Sequence, residues 1–227
     1  MYLPKVFLIE GIPGKGKTLT ALYLCLYHQI NYGLHIYSTV ELYNAADCSC
    51  GGQHPIERDS YYCGKEEKAF LGVGSEFVQE VDYTHLPNFK AVYDKLEEAK
   101  KDPEAFADGS FLLDEGQKFL NRRLSTSKIN RILNELLGDY RKCRLDLYLT
   151  CHHRTHIDKS SLRYITHFAV PKIYPAEDLC VVRVEDIATD RIMKFQFRPS
   201  SIYPFYKTTE RVITGGKYSR MKTEDLQ

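Results

Sequence analysis

The 227-residue chain lacks any uninterrupted apolar run approaching the ~20 residues that a membrane-spanning helix needs. Its start does not read as a leader either. Met1-Tyr2-Leu3-Pro4-Lys5 runs straight into an apolar stretch, with no room for the charged, apolar and cleavage regions of a secretory signal. Both absences lead us to expect a protein without a membrane span, in the cytoplasm of a cell. The seven cysteines are odd in number and come without an export signal, so reduced thiols are expected. No segment repeats. Net charge is almost absent too, at +1, but its distribution is uneven. Residues 116–172 hold 12 Lys/Arg against 4 Asp/Glu, and the rest of the chain carries the compensating acid. Such asymmetry suggests a surface that faces a polyanion, although solvated helix faces would give a similar count. With 43% hydrophobic and 27% charged residues, the chain reads as one large globular domain or one domain with an insert.

What is present is organised around Gly11-Ile12-Pro13-Gly14-Lys15-Gly16-Lys17-Thr18. Two glycines five apart, followed at once by Lys and Thr, fit a phosphate-binding loop. The glycines let the backbone curl until its N–H groups face phosphate oxygens, in front of a helix N-terminus. The binding stretch is therefore Gly11, Pro13, Gly14, Lys15, Gly16, Lys17, Thr18 and Leu19. Lys17 would reach the β- and γ-phosphates, and the Thr18 hydroxyl would bind Mg²⁺. The context agrees: Val6-Phe7-Leu8-Ile9 has the apolar run of a buried strand, and residues 19–32 read as a helix. His35–Val40 reads as the next strand, and strand–helix–strand is the unit of a parallel sheet.

Phe111-Leu112-Leu113-Asp114-Glu115 is the second landmark. An apolar strand ending in adjacent acids is the usual partner of a phosphate loop. Asp114 would hold the Mg²⁺ shell, and Glu115 could polarise an attacking water as general base. No Asn-Lys-x-Asp guanine-reading motif occurs, so ATP is the expected nucleotide. Leu145–Thr150 reads as a further core strand. Its end carries Thr150 and His152 to the nucleotide, since ligands bind at strand C-termini in open α/β sheets.

Elsewhere, residues 89–106 and the stripe Ile129, Ile132, Leu133, Leu136, Leu137 and Tyr140 read as helices. Residues 76–83 and 166–170 read as strands, and 179–187 with 191–198 as a hairpin. A short helix with Asp158 near its cap is expected within 156–165, and an aromatic strap at 201–213. Residues 44–72 are turn-rich and read as an insert on the sheet rim. In it, Cys48, Cys50, His54 and Cys63 could bind Zn²⁺, though Cys63 stands alone rather than in a paired knuckle. The expected organisation is one ATPase domain over 1–214, holding the insert at 44–72, with a basic, disordered tail at 215–227.

These residues together resemble the zonular-occludens-toxin-like and viral genome-packaging branch of the FtsK–HerA ATPases. The likeness extends to Asp114-Glu115-Gly116-Gln117-Lys118-Phe119-Leu120-Asn121-Arg122, to Arg141-Lys142 before strand 145–150, to Asp158-Lys159-Ser160-Ser161-Leu162-Arg163, and to the aromatics at 203–206. The resemblance implies an α/β, RecA-like (ASCE) P-loop NTPase. It would be a three-layer sandwich with a mostly parallel central sheet, a C-terminal β-hairpin and the small Cys-containing insert. It implies a homo-oligomeric ring, usually a hexamer, that hydrolyses ATP with Mg²⁺ and drives double-stranded DNA through its centre. A capsid or portal-vertex protein would be a partner, with transient association with a virion or procapsid in the host cytoplasm. A neighbour's arginine would reach the γ-phosphate; Arg141 and Arg144 are the first candidates, Arg122 and Arg154 the next. The family's Gln after the sensor-strand Thr is replaced here by Cys151-His152, so His152 would donate the sensing hydrogen bond.

Three other readings stay open. Filamentous-phage members of the branch extrude virions, although they carry a membrane segment after the ATPase core. Thymidine kinases combine a phosphate loop, an Asp-Glu-x-Gln-Phe-like segment and zinc, but Asp114–Phe119 departs by one inserted residue and their second cysteine knuckle is missing. A non-catalytic ATP-binding ring component is the third.

Overall fold

The computed structural model describes residues 3–42, 81–102, 109–124 and 127–206. The candidate zinc ligands Cys48, Cys50, His54 and Cys63, the strand residues expected at 76–80, and the tail lie outside these residues.

Eight strands form one sheet in the order β3-β2-β4-β5-β1-β6-β7-β8. They are β1 (Val6–Glu10), β2 (His35–Ser38), β3 (Tyr83–His85), β4 (Gly109–Leu113), β5 (Leu145–Cys151), β6 (His167–Tyr174), β7 (Leu179–Asp186) and β8 (Arg191–Phe197). The first six in sequence pair in parallel; β6–β7 and β7–β8 are antiparallel. The helices are α1 (Lys17–Tyr32), α2 (Phe89–Lys101), α3 (Lys128–Asp139) and the short α4 (Lys159–Leu162).

Parallel strands buried on both faces need near-continuous apolar sequence, and β1, β4 and β5 have it. Alternation along each strand then divides the core in two. Val6, Leu8, Phe111, Leu113, Leu145, Leu147 and Leu149 face α2 and α3. Phe7, Ile9, Leu112 and Tyr148 face α1. The result is a three-layer α/β sandwich. The β7–β8 hairpin curls onto α1, where Tyr23 stacks on Phe197 at 4.3 Å between ring centroids. Ile202 and Phe205 close the same face, both fully buried.

β5 lies between β1 and β4, pairing with each. The phosphate loop after β1 and the acids after β4 are thus two strands apart, with the end of β5 between them.

Two boundaries differ from the sequence expectation. α2 ends at Lys101, not 106: Asp102 precedes Pro103, and the residue before a proline disfavours helical geometry. β6 continues past Pro171 to Tyr174. Pairing with β1 stops at Ala169, so the proline's missing N–H falls on the side where no ladder is made. The expected strap is built, as far as residue 206, of two single 3₁₀ turns, Pro199–Ser201 and Tyr203–Phe205.

Candidate nucleotide site

α1 starts without a side-chain cap. Gly16 is its N-cap at φ 87°, and the first turn holds no acidic residue. The free N–H groups and positive end of the helix macrodipole therefore point out of the loop, as an anion-binding terminus requires. Gly16 has a second constraint. A Cβ there would lie 2.7 Å from Ile173 Cδ1, so β6 presses directly on the loop.

The loop is tied to β5, since Gly11 N donates to Cys151 O at 3.2 Å. Lys17 is buried and its Nζ donates to Ile12 O at 3.2 Å, inside the loop's own curl. Thr18 Oγ1 donates to Asp114 Oδ1 at 2.9 Å. Thr150 Oγ1 donates to the same oxygen at 2.6 Å and accepts from Glu115 N at 2.8 Å. Thr39, at the end of β2, receives Asp114 N on its hydroxyl at 2.9 Å. Three threonines from three strand or helix ends thus fix the two acids.

Glu115 adopts a left-handed φ of 53°. That conformation costs a non-glycine residue about 1 kcal/mol or more, and such outliers concentrate at functional sites. The turn is possible because Gly116 follows: a Cβ on it would meet Thr150 O at 3.2 Å. The Glu115 carboxylate is ion-paired with Lys118 Nζ, and 38% of its side chain stays exposed.

The residues expected to hold ATP and Mg²⁺ fit that role here. The uncapped helix end carries Lys17 and Thr18 side by side, and Thr18 bonds directly to Asp114. No group of three or more His, Cys, Asp or Glu suited to a metal occurs among the described residues.

His152 sits just past β5, and its Nδ1 is buried without a hydrogen-bond partner among the described residues. It is a free polar group at the edge of the site. Arg141 and Arg144 lie elsewhere. Both precede Leu145, at the start of β5, about 20 Å from its nucleotide end at ~3.3 Å per residue. Arg141 Nε donates to Tyr140 Oη at 2.9 Å. Arg154 is committed within its own chain: it pairs with Glu10 and lies 4.0 Å above the Phe168 ring. Its guanidinium holds the Glu10 carboxyl below the usual range.

Thr39 and the Glu10–Arg154 pair were not singled out in the sequence. A threonine after a strand and an acid before a glycine loop carry no local signal of their own.

No protein-family model and no curated protein sequence matches the chain. Solved structures do. The N-terminal domain of zonular occludens toxin from Neisseria meningitidis superposes with a TM-score of 0.53 at 14% identity, covering 91% of this chain and all of that one. The genome packaging NTPase B204 from Sulfolobus turreted icosahedral virus 2, in complex with AMP, gives 0.53 at 11% identity, covering 86% and 98%. B204 described as the DNA-packaging ATPase from Sulfolobus turreted icosahedral virus gives 0.54 at 11%, again covering 86% and 98%. At these identities the likeness shows the fold alone: the α/β, RecA-like arrangement, a mostly parallel sheet with helices on both faces, that the zonular occludens toxin domain and the viral packaging NTPase share. No helix among the described residues is long and apolar enough to cross a membrane.

Proposed function

We propose that the chain is an ATP-hydrolysing DNA translocase that packages viral genomic DNA into a capsid. The observation that carries this reading is the hydrogen bond from Thr18, next to Lys17 at the helix start, to Asp114, with Thr150 joining Asp114 to Glu115. In this reading Lys17 leaves Ile12 O and orients the β- and γ-phosphates. Thr18 and Asp114 would hold Mg²⁺, which would supply positive charge to the phosphate oxygens. Glu115 takes the proton of a water whose oxygen attacks the γ-phosphorus as the bond to the β-bridging oxygen breaks. Thr150 holds the Glu115 backbone, and His152 donates to the transferred group. Arg141 and Arg144, too far from their own pocket, suit a subunit that completes its neighbour's site in a ring, a hexamer by the family likeness.

The DNA part rests on the basic segment 116–172 and on the fold shared with B204, which is described as a genome packaging NTPase. The purified chain should hydrolyse ATP, faster with duplex DNA at low salt, and Lys17→Ala should abolish turnover. Absence of DNA binding at low salt contradicts the translocase reading, because phosphate contacts are strongest there. Zinc belongs to the same proposal: metal analysis should find one equivalent per chain, lost in Cys63→Ser.

The likeness to the whole zonular occludens toxin domain favours a second reading, an ATPase of filamentous virion assembly. Stimulation of turnover by empty procapsids supports packaging; stimulation by a filament coat protein supports assembly.

A further inference from the structure

Beside the acids lies a cleft of about 610 Å³ lined by Gln117, Asn121, Arg122, Arg123, Thr155 and His156. Among the described residues, no carboxylate lines it. Two segments build it. The 3₁₀ turns Gly116–Lys118 and Arg122–Leu124 follow the acidic strand, and the turn Arg154–His156 follows β5. An isolated bridge between Asn121 and Ile157 joins them. Asn121 Oδ1 accepts from Arg123 N at 2.8 Å and so sets the arginine backbone. Gln117 Oε1 is buried and has no hydrogen-bond partner among the described residues. The cleft therefore offers two guanidinium groups, an imidazole and an unsatisfied amide. That combination suits a phosphodiester backbone, with Arg for the phosphates and amides for sugar or base edges.

The turn that supplies Gln117 also supplies Lys118, whose ammonium pairs with Glu115 Oε2. An ammonium held on one carboxylate oxygen stabilises the charged form, so it weakens the carboxylate as an acceptor of a proton from water. The pair is exposed, with 59% of the Lys118 side chain accessible, and exposed ion pairs are weak and easily exchanged. A phosphate arriving one residue away, beside Gln117, competes for the same ammonium.

We infer that Lys118 is a latch on Glu115, and that nucleic acid seated in the Gln117–His156 cleft opens it. Lys118 is a positioning residue that acts through Glu115, not on the nucleotide or the attacking water. Turnover is then slow until polyanion is engaged. This inference rests on Glu115 being the general base of the proposed ATPase.

The test is steady-state ATP turnover of the full chain with and without a duplex oligonucleotide at low salt. Lys118→Met should raise the DNA-free rate roughly fivefold and bring the stimulation ratio towards one. Lys118→Arg should restore the wild-type ratio. The double variant Arg122→Ala, Arg123→Ala, shown folded by thermal melting, should lose stimulation by duplex. If Lys118→Met has the wild-type DNA-free rate and the wild-type ratio, the latch is wrong while the ATPase stands. If Lys118→Met is faster but duplex does not stimulate the wild type, the nucleic-acid key is wrong. If the wild type shows no Lys17-dependent turnover at all, the ATPase reading fails first and the latch falls with it.

Discussion

Thr18 Oγ1 and Asp114 Oδ1 are 2.9 Å apart although 96 residues separate them in the chain. Their meeting depends on β5 lying between β1 and β4, since Thr150 on β5 bonds to the same carboxylate oxygen. An Asn at 114 would keep an acceptor for both hydroxyls but remove the charge that attracts a divalent cation. Asp114→Asn should therefore leave ATP affinity without Mg²⁺ nearly unchanged and lose the gain that Mg²⁺ gives. Titration calorimetry with and without Mg²⁺ measures this. An Mg²⁺-dependent gain equal to wild type would remove Asp114 from the metal role.

Glu115 calls for the opposite split. Its backbone is fixed by Thr150 at 2.8 Å, while its carboxylate is held only by an exposed lysine. Glu115→Gln should bind ATP and Mg²⁺ like wild type and lower kcat by roughly 10²-fold or more. Single-turnover kinetics alongside equilibrium binding separate the effects. A parallel loss of binding and rate would mark Glu115 as structural.

The phosphate loop and the acidic strand were legible because each packs its chemistry into consecutive residues. The core was legible for a similar reason: strands such as Phe111-Leu112-Leu113 are apolar on both faces, and the stripe from Ile129 to Tyr140 repeats at helical spacing. Asp158 capping α4 through Ser160 N at 2.8 Å was also readable locally. Thr39 was not, because its importance comes from a bond to Asp114, 75 residues away. The Lys118–Glu115 pair was hidden for another reason. Three residues apart, they face each other only because Glu115 turns left-handed and Gly116 lets the chain cross β5.

Glu10 and Arg154 join the end of β1 to the turn after β5, so the pair braces the glycine loop against the end of β5. The Arg154 hydrogen bond lowers the folded-state pKa of Glu10. A depressed carboxylate pKa stabilises the fold above the unfolded value, about 4.3 for Glu. That contribution is lost as pH falls through the lower, folded value. Part of Arg154 meets solvent, so the pair is worth about 1 kcal/mol at neutral pH. Glu10→Gln should then lower Tm by ~2–4 °C at pH 7 and by progressively less below pH ~4. Melting curves across pH check it, and a Tm difference independent of pH would assign the loss to packing.

Gly16 tests whether β6 shapes the loop. An alanine there meets two obstacles: φ of 87°, and a methyl 2.7 Å from Ile173 Cδ1 and 2.8 Å from Cγ1. Backbone and β6 would both have to shift, and the N–H groups that face the phosphates would shift with them. Gly16→Ala should weaken ATP binding at least tenfold and lower Tm by several degrees. Ile173→Ala removes only the second obstacle. The double variant Gly16→Ala, Ile173→Ala should therefore recover part of the ATP affinity, because the methyl gains space while the left-handed φ still costs about 1 kcal/mol. Binding of a fluorescent ATP analogue to the four proteins resolves the two contributions. No recovery in the double variant would show that the backbone conformation of Gly16, rather than the pressure of Ile173, sets the geometry of the loop.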